Sequence, residues 1–176
     1  MAEPFSSDSA DGIPVAPPGR EALDALIARF PRQAFRAAEV LSETELPLYA
    51  SHVPAGFPSP ADDYLEASLN LNDYLIRHPE STFFVRVSGE SMSGAGIFDG
   101  DMLVVDRLLR PRHRDVVIAV VAGELTVKRL ELRADGPWLV PDHPDYPALR
   151  ANPEAGFDVW GVVTAVVRSL KPPHKA

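Results

Sequence analysis

From Thr82 onward the chain is written in short apolar runs, too brief and too closely punctuated to make helices. They cover 82–88, 102–106, 115–122, 124–133, 137–140 and 157–169, and Val, Ile, Leu and Phe dominate them. Turn-forming clusters separate them: Asp99-Gly100-Asp101, Ala122-Gly123-Glu124 and Asp135-Gly136-Pro137. This pattern predicts a mainly β domain with a minor helical entry.

The chain ahead of Thr82 is of a different kind. Residues 1–19 are rich in Ser, Asp, Ala, Pro and Gly without periodicity, and read as a disordered tail. Leu23, Leu26, Ile27 and Phe30 then fall at helical spacing, and Pro31 ends a short amphipathic helix that docks on the core or on a partner. Residues 44–60 are punctuated by prolines, which fix the backbone and remove donors. That stretch is expected to be extended, neither helix nor central strand. From Ala61 to His78 the apolar positions Tyr64, Leu65, Leu69, Leu71, Tyr74 and Leu75 suggest helical turns leading into the body, with Asn72 starting a short turn that ends near Pro79.

Composition removes several functional classes. A formal charge of -8 and a pI near 5.0 argue against a chain whose main task is gripping nucleic acid. Residues 1–50 carry four Arg, no Lys and eight Asp or Glu, so they lack the basic surface of a helix-turn-helix. A repressor's DNA-binding domain is rejected on that ground. With no cysteine there is no disulfide, thiolate metal site or cysteine nucleophile. His52, His78, His113, His143 and His174 show no metal-ligand spacing. No stretch approaches the ~20 apolar residues of a membrane span. The start Met1-Ala2-Glu3-Pro4-Phe5 lacks the basic-then-apolar order of a secretory signal. A soluble cytoplasmic protein is expected.

Two residues of the β domain point to chemistry. Ser91 lies in the Gly-flanked turn Ser88-Gly89-Glu90-Ser91-Met92-Ser93, directly after an apolar run. Lys128 lies in 124–132, where alternation puts Thr126, Lys128, Leu130 and Leu132 on one face and Val127, Arg129 and Glu131 on the other. Apolar surroundings disfavour an ammonium and lower its pKa. A neutral amine within reach of a serine hydroxyl can take its proton, which is the Ser-Lys form of an activated nucleophile. A tight turn can aim the backbone N–H groups of Glu90 and Ser91 at an oxyanion. Taken singly, each residue has an ordinary reading, a turn serine and a snorkelling lysine.

The surrounding residues make the pattern specific. The run Val87-Ser88-Gly89-Glu90-Ser91-Met92, the stretch 96–106 (Gly-Ile-Phe-Asp-Gly-Asp-Met-Leu-Val-Val-Asp) and Thr126-Val127-Lys128-Arg129-Leu130 together resemble the LexA/UmuD family of self-cleaving serine peptidases. The interval from Ser91 to Lys128 is the one that family keeps between nucleophile and general base. Residues 55–64, opening Ala55-Gly56-Phe57-Pro58, resemble its cleavage region, where an Ala-Gly or Cys-Gly bond is cut. Residues 142–146 and 157–163 fit its closing strands, so the resemblance runs from about Val53 to Leu170.

That resemblance implies a LexA/UmuD-like peptidase domain of short, highly curved strands at 82–170, with a tail at 171–176. It implies a flexible N-terminal leader and arm, 1–55, removed by self-cleavage between Ala55 and Gly56, with an extended segment and helical turns at 56–81. Ser91 is then the nucleophile and Lys128 the base, with no metal and no cofactor. The implied setting is the SOS response, with a RecA–single-stranded DNA filament as activator. The implied product is a homodimer that joins a UmuC-type Y-family polymerase for translesion synthesis, without sequence-specific DNA binding of its own. The chain departs from the family pattern in its longer leader, which holds the 20–30 helix.

Other readings compete at single sites. A Ser-His-Asp triad through His143 lacks any ordering pattern. Asp99 and Asp101 flank Gly100 and read as turn residues rather than a catalytic pair. The basic run Arg107-Leu108-Leu109-Arg110-Pro111-Arg112-His113-Arg114 reads as a solvated loop, or as a contact for a nucleoprotein. For the whole chain, the alternatives are a non-cleaving module that binds a polymerase, a LexA-like repressor relative, and a peptidase acting on separate substrates.

Overall fold

A computed structural model describes residues 34–36, 45–49, 65–152 and 156–171. Among them lie the strands β1 (Ala34–Arg36), β2 (Glu45–Tyr49) and β3 (Leu65–Asn70), then the helix α1 (Leu71–Leu75). The strands β4 (Thr82–Arg86), β5 (Met102–Asp106), β6 (Val116–Val121), β7 (Glu124–Arg133), β8 (Gly136–Val140), β9 (Leu149–Arg150) and β10 (Asp158–Val167) follow. Eight strands make one antiparallel sheet in the order β1-β4-β5-β10-β6-β7-β8-β9, and β2 pairs with β3 in a separate ribbon. The chain is mainly β, as its punctuated apolar runs require.

The six runs expected as strands appear as β4, β5, β6, β7, β8 and β10, within two residues at either end. Three findings correct the sequence reading. Residues 65–70, expected in helical turns, form β3; their backbone is claimed by β2, with Leu46 opposite Leu69 and Leu48 opposite Ala67. Among the described residues of that segment the α-helix is α1, capped by Asn70, whose Oδ1 accepts the Asn72 N–H at 3.0 Å. β1 and β9 were not foreseen, being short strands at the two edges of the sheet. Arg107 is not part of a solvated loop: its Nε donates to the Trp160 carbonyl at 2.9 Å, and its guanidinium lies 5.0 Å from the Trp160 ring centroid.

Extended structure at Glu45–Tyr49 agrees with the proline-based reading. Pro47 stands opposite Ser68, and a two-stranded ribbon leaves one side of each strand free, so a residue without a donor is tolerated. The expected 1–19 tail, the 20–30 helix, Ala55 and Gly56 lie outside the described residues.

Packing follows the strand period. On β6, Val117 and Ala119 join an apolar cluster with Leu130, Leu139, Val159 and Val162. Their neighbour Ile118 joins a second cluster with Phe83, Val85, Met92, Leu103 and Trp160, on which Val116 and Val120 also pack. The sheet is therefore apolar on both faces through its centre. Between β6 and β7 the turn is made by Ala122 (φ 50°) and Gly123 (φ 82°), the left-handed pair that matches the twist of a tight hairpin. This hairpin fixes the register that sets Lys128 opposite Val117.

Candidate active site

The turn after β4 is held from behind by its own polar groups. Val87 N–H donates to the Asp101 carbonyl at 2.8 Å, and Gly100 N–H returns to the Val87 carbonyl at 3.0 Å. Asp99 Oδ1 accepts the Gly89 N–H at 2.9 Å, and Asp101 Oδ2 accepts the Phe98 N–H at 2.8 Å. Asp99 and Asp101 are thus turn-builders, as read from the sequence. Gly89, at φ 92°, supplies the left-handed residue that re-aims the chain towards Ser91. Met92 is buried in the core beside it, which anchors the turn from below.

In front of Ser91, a 3₁₀ turn at Ser93–Ala95 approaches the loop after β8. Gly94 N–H donates to the Asp142 carbonyl at 2.7 Å, and a Cβ at Gly94 would overlap that oxygen. The Asp142 carboxylate in turn accepts from Arg129 Nε, at 2.9 and 3.2 Å, and from Arg129 Nη2. Arg129 Nη1 donates to the Arg114 carbonyl at 2.8 Å.

Lys128 sits in the middle of β7 with only 8 % of its surface exposed. Leu130 on the same face is fully buried, while Arg129 and Glu131 engage Asp142, Arg114 and Arg133. Alternation therefore places the lysine as the sequence required. Its Nζ lies 2.8 Å from Ser91 Oγ, 3.0 Å from Thr126 Oγ1 and 2.9 Å from the Val127 carbonyl oxygen. Burial pushes its pKa below the ordinary 10.5, because the ammonium loses hydration.

Three oxygen acceptors surround Nζ. In its neutral form the amine would donate to Thr126 Oγ1 and the Val127 carbonyl and turn its lone pair to the Ser91 hydroxyl. A cleft of about 180 Å³ opens beside Ser91, with Val85, Val87, Leu103, Ile118 and Leu125 among its walls. Its aliphatic walls, interrupted by Arg86, Ser88 and Thr126, suit a small aliphatic side chain.

Ser91 and Lys128 are thus brought together. Among the described residues, none of the turn's backbone hydrogen bonds uses the N–H of Glu90 or of Ser91. His143 is occupied elsewhere: its Nδ1 accepts the Asp145 N–H at 3.2 Å, and its ring meets Tyr146 edge-on. Sequence reasoning missed Thr126, although the alternation that picked out Lys128 already set Thr126 on the same face. It also missed Asp142 as a support of the turn, and no local pattern announces that contact.

The peptidase S24-like family matches residues 47–164. The chain belongs to that family. Protein ImpA of Salmonella typhimurium is 53 % identical over 125 residues, which are 71 % of this chain and 85 % of ImpA. Protein MucA of Escherichia coli is 48 % identical over 120 residues, 68 % of this chain and 82 % of MucA. A LexA repressor from Delftia acidovorans is 35 % identical over 129 residues, 73 % of this chain but 57 % of the repressor. The LexA/UmuD resemblance of the motifs therefore holds along most of this S24-like chain. The matched interval includes the Ala55-Gly56 dipeptide as well as Ser91 and Lys128. Among the described residues no helix is long and apolar enough to cross a membrane.

Proposed function

We propose that this S24-like chain is a self-cleaving serine peptidase that cuts its own Ala55–Gly56 bond, with Ser91 as nucleophile and Lys128 as general base. The observation that carries the reading is the approach of Lys128 Nζ to 2.8 Å from Ser91 Oγ in a buried setting that disfavours the ammonium. Neutral Lys128 takes the Ser91 proton as Oγ attacks the Ala55 carbonyl carbon. The N–H groups of Glu90 and Ser91 hold the resulting oxyanion. The lysine then gives that proton to the Gly56 nitrogen as the C–N bond breaks, and water releases the acyl group from Ser91.

The substrate is tethered, which makes the reaction first order and its effective concentration high. β2 pairs with β3, so the 50–64 segment joins two neighbouring strands and its flanks are held together. In this reading 1–55 is the leader and arm, and 56 onward is the processed form. An activator accelerates cleavage by favouring the docked arm, without altering the chemistry. We assign that role to a RecA–single-stranded DNA filament, and to the processed homodimer the role of accessory subunit of a UmuC-type translesion polymerase in the cytoplasm.

The test is intact mass after incubation at mildly alkaline pH, with and without RecA, an ATP analogue and single-stranded DNA. The expected result is a pair of fragments divided between Ala55 and Gly56, absent in Ser91→Ala. Below the lysine midpoint the rate should climb about tenfold per pH unit, as the neutral fraction does. Intact protein under every condition would sink the enzyme and leave a binding module.

A further inference from the structure

We infer that Arg129 and Asp142 are positioning residues for the Ser91–Lys128 dyad, their ion pair fastening the turn that carries the nucleophile to the strand that carries the base. The inference rests on the self-cleavage reading above and adds the parts that keep its two groups at working distance.

The connection is short and continuous. Arg129 follows Lys128 directly in β7. Its side chain points to the opposite face, where Nε and Nη2 fork onto the Asp142 carboxylate. The Asp142 main-chain oxygen accepts the Gly94 N–H, three residues beyond Ser91. Displacing Asp142 therefore displaces the turn relative to β7. The two side chains are 19 and 20 % exposed, so water screens the pair far less than a surface pair. The bond from Arg129 Nη1 to the Arg114 carbonyl holds the guanidinium from its other edge, so the fork has one orientation.

The nucleophile has no strand partner to hold it on this side. Behind it, Asp99 and Asp101 fix Gly89 and Val87. In front, the Gly94–Asp142 contact is a main-chain link from the turn to the loop after β8, and through Arg129 to β7. A shift of about 1 Å at reacting atoms can cost about a hundredfold in rate, so a support outside the cleft acts on the chemistry through geometry alone. Loosening it also admits water to Nζ, which restores hydration to the ammonium and moves the lysine midpoint upward.

The test uses the full chain with Asp142→Asn, which keeps the side-chain volume, and Arg129→Lys, which keeps the charge but not the fork. Two readouts are taken: the pH–rate profile of self-cleavage, and the titration of the Lys128 side-chain methylene signals by NMR. Asp142→Asn should slow cleavage at a fixed pH by about tenfold to a hundredfold and move the Lys128 midpoint up, the hydration gained outweighing the downward push of the unpaired Arg129 guanidinium. Arg129→Lys should lie between it and wild type. The double variant Arg129→Lys/Asp142→Asn should be no slower than the worse single, because the pair acts as one unit. A purely structural role would lower the melting temperature and leave the Lys128 midpoint where it was; that result overturns the proposal. The NMR titration needs no cleavage. A wild type that fails to cut itself would tell against the peptidase reading, while the Lys128 midpoint in Asp142→Asn still decides the positioning role.

Discussion

Ser91 and Lys128 are held in different ways. Lys128 stands in a strand with a ladder on either side: β6 sets Val117 opposite it, and β8 pairs the next residue, Arg129, with Val140. Its position is a property of the whole sheet and is lost only when the sheet is lost. Ser91 belongs to a turn without ladder bonds, kept in place by the polar groups of Asp99, Asp101 and Asp142 and by the buried Met92. Its position can be changed by single polar contacts while the core stays intact. Lys128 is therefore costly to move and Ser91 cheap to move.

The widest separation between the two is expected at Lys128 itself. Lys128→Met should abolish cleavage, a loss of several orders of magnitude, while raising the melting temperature near neutral pH. The sign follows from linkage. The folded-state pKa of Lys128 lies below its unfolded value of about 10.5, so the folded chain binds fewer protons between the two. The deficit from a buried ammonium is present in full below the folded pKa. It shrinks as pH rises through that pKa, and is gone above about 10.5. Scanning calorimetry across the alkaline range should show wild type gaining on Lys128→Met as pH rises. A variant less stable than wild type at neutral pH would mean that this burial carries no such cost.

Thr126→Val gives a smaller effect. The change is nearly isosteric but deletes the Oγ1 acceptor 3.0 Å from Nζ, leaving the Val127 carbonyl to orient the amine. A hydrogen bond of this kind is worth about 1 kcal/mol, so cleavage should slow roughly fivefold with little change in fold. Single-turnover rates with the tethered substrate measure it directly. An unchanged rate would show that the ladder alone orients the lysine.

The same contrast explains what was legible in the sequence. β7 could be read because alternation carries its face assignment from Thr126 to Leu132, and a charge among leucines stands out. The turn signals at Asp99-Gly100-Asp101 and Ala122-Gly123-Glu124 were legible for the same local reason. The Asp142–Arg129 contact was not, because it joins residues through tertiary approach and no period links them. β3 was misread because Leu65 and Leu69 fit a helical spacing, whereas the backbone bonds of that segment go to β2. Arg107 was assigned to solvent on its composition, though the buried Trp160 is its neighbour. Ser91 and Lys128 stood out because their neighbours form a local pattern; the residues packed around them came from distant segments.

The supports behind and in front of Ser91 should also differ. Asp101 is nearly fully buried, and the Arg168 hydrogen bond, with help from the Phe98 N–H, holds its carboxyl below the usual value against the cost of burial. A depressed folded pKa adds stability above the unfolded value of about 3.8 and loses it as pH falls through the folded pKa. Asp101→Asn should therefore lower the melting temperature by a few degrees near neutral pH and flatten its acid dependence below about pH 4. The main-chain bonds between Val87 and the 100–101 segment do not involve that carboxylate. Cleavage by the folded variant should for that reason change by no more than about twofold. If Asp101→Asn slows cleavage as much as Asp142→Asn does, the turn moves as one body and the distinction between its two ends fails. If only Asp142→Asn slows it, the rear contacts serve the fold and the front contact serves the dyad.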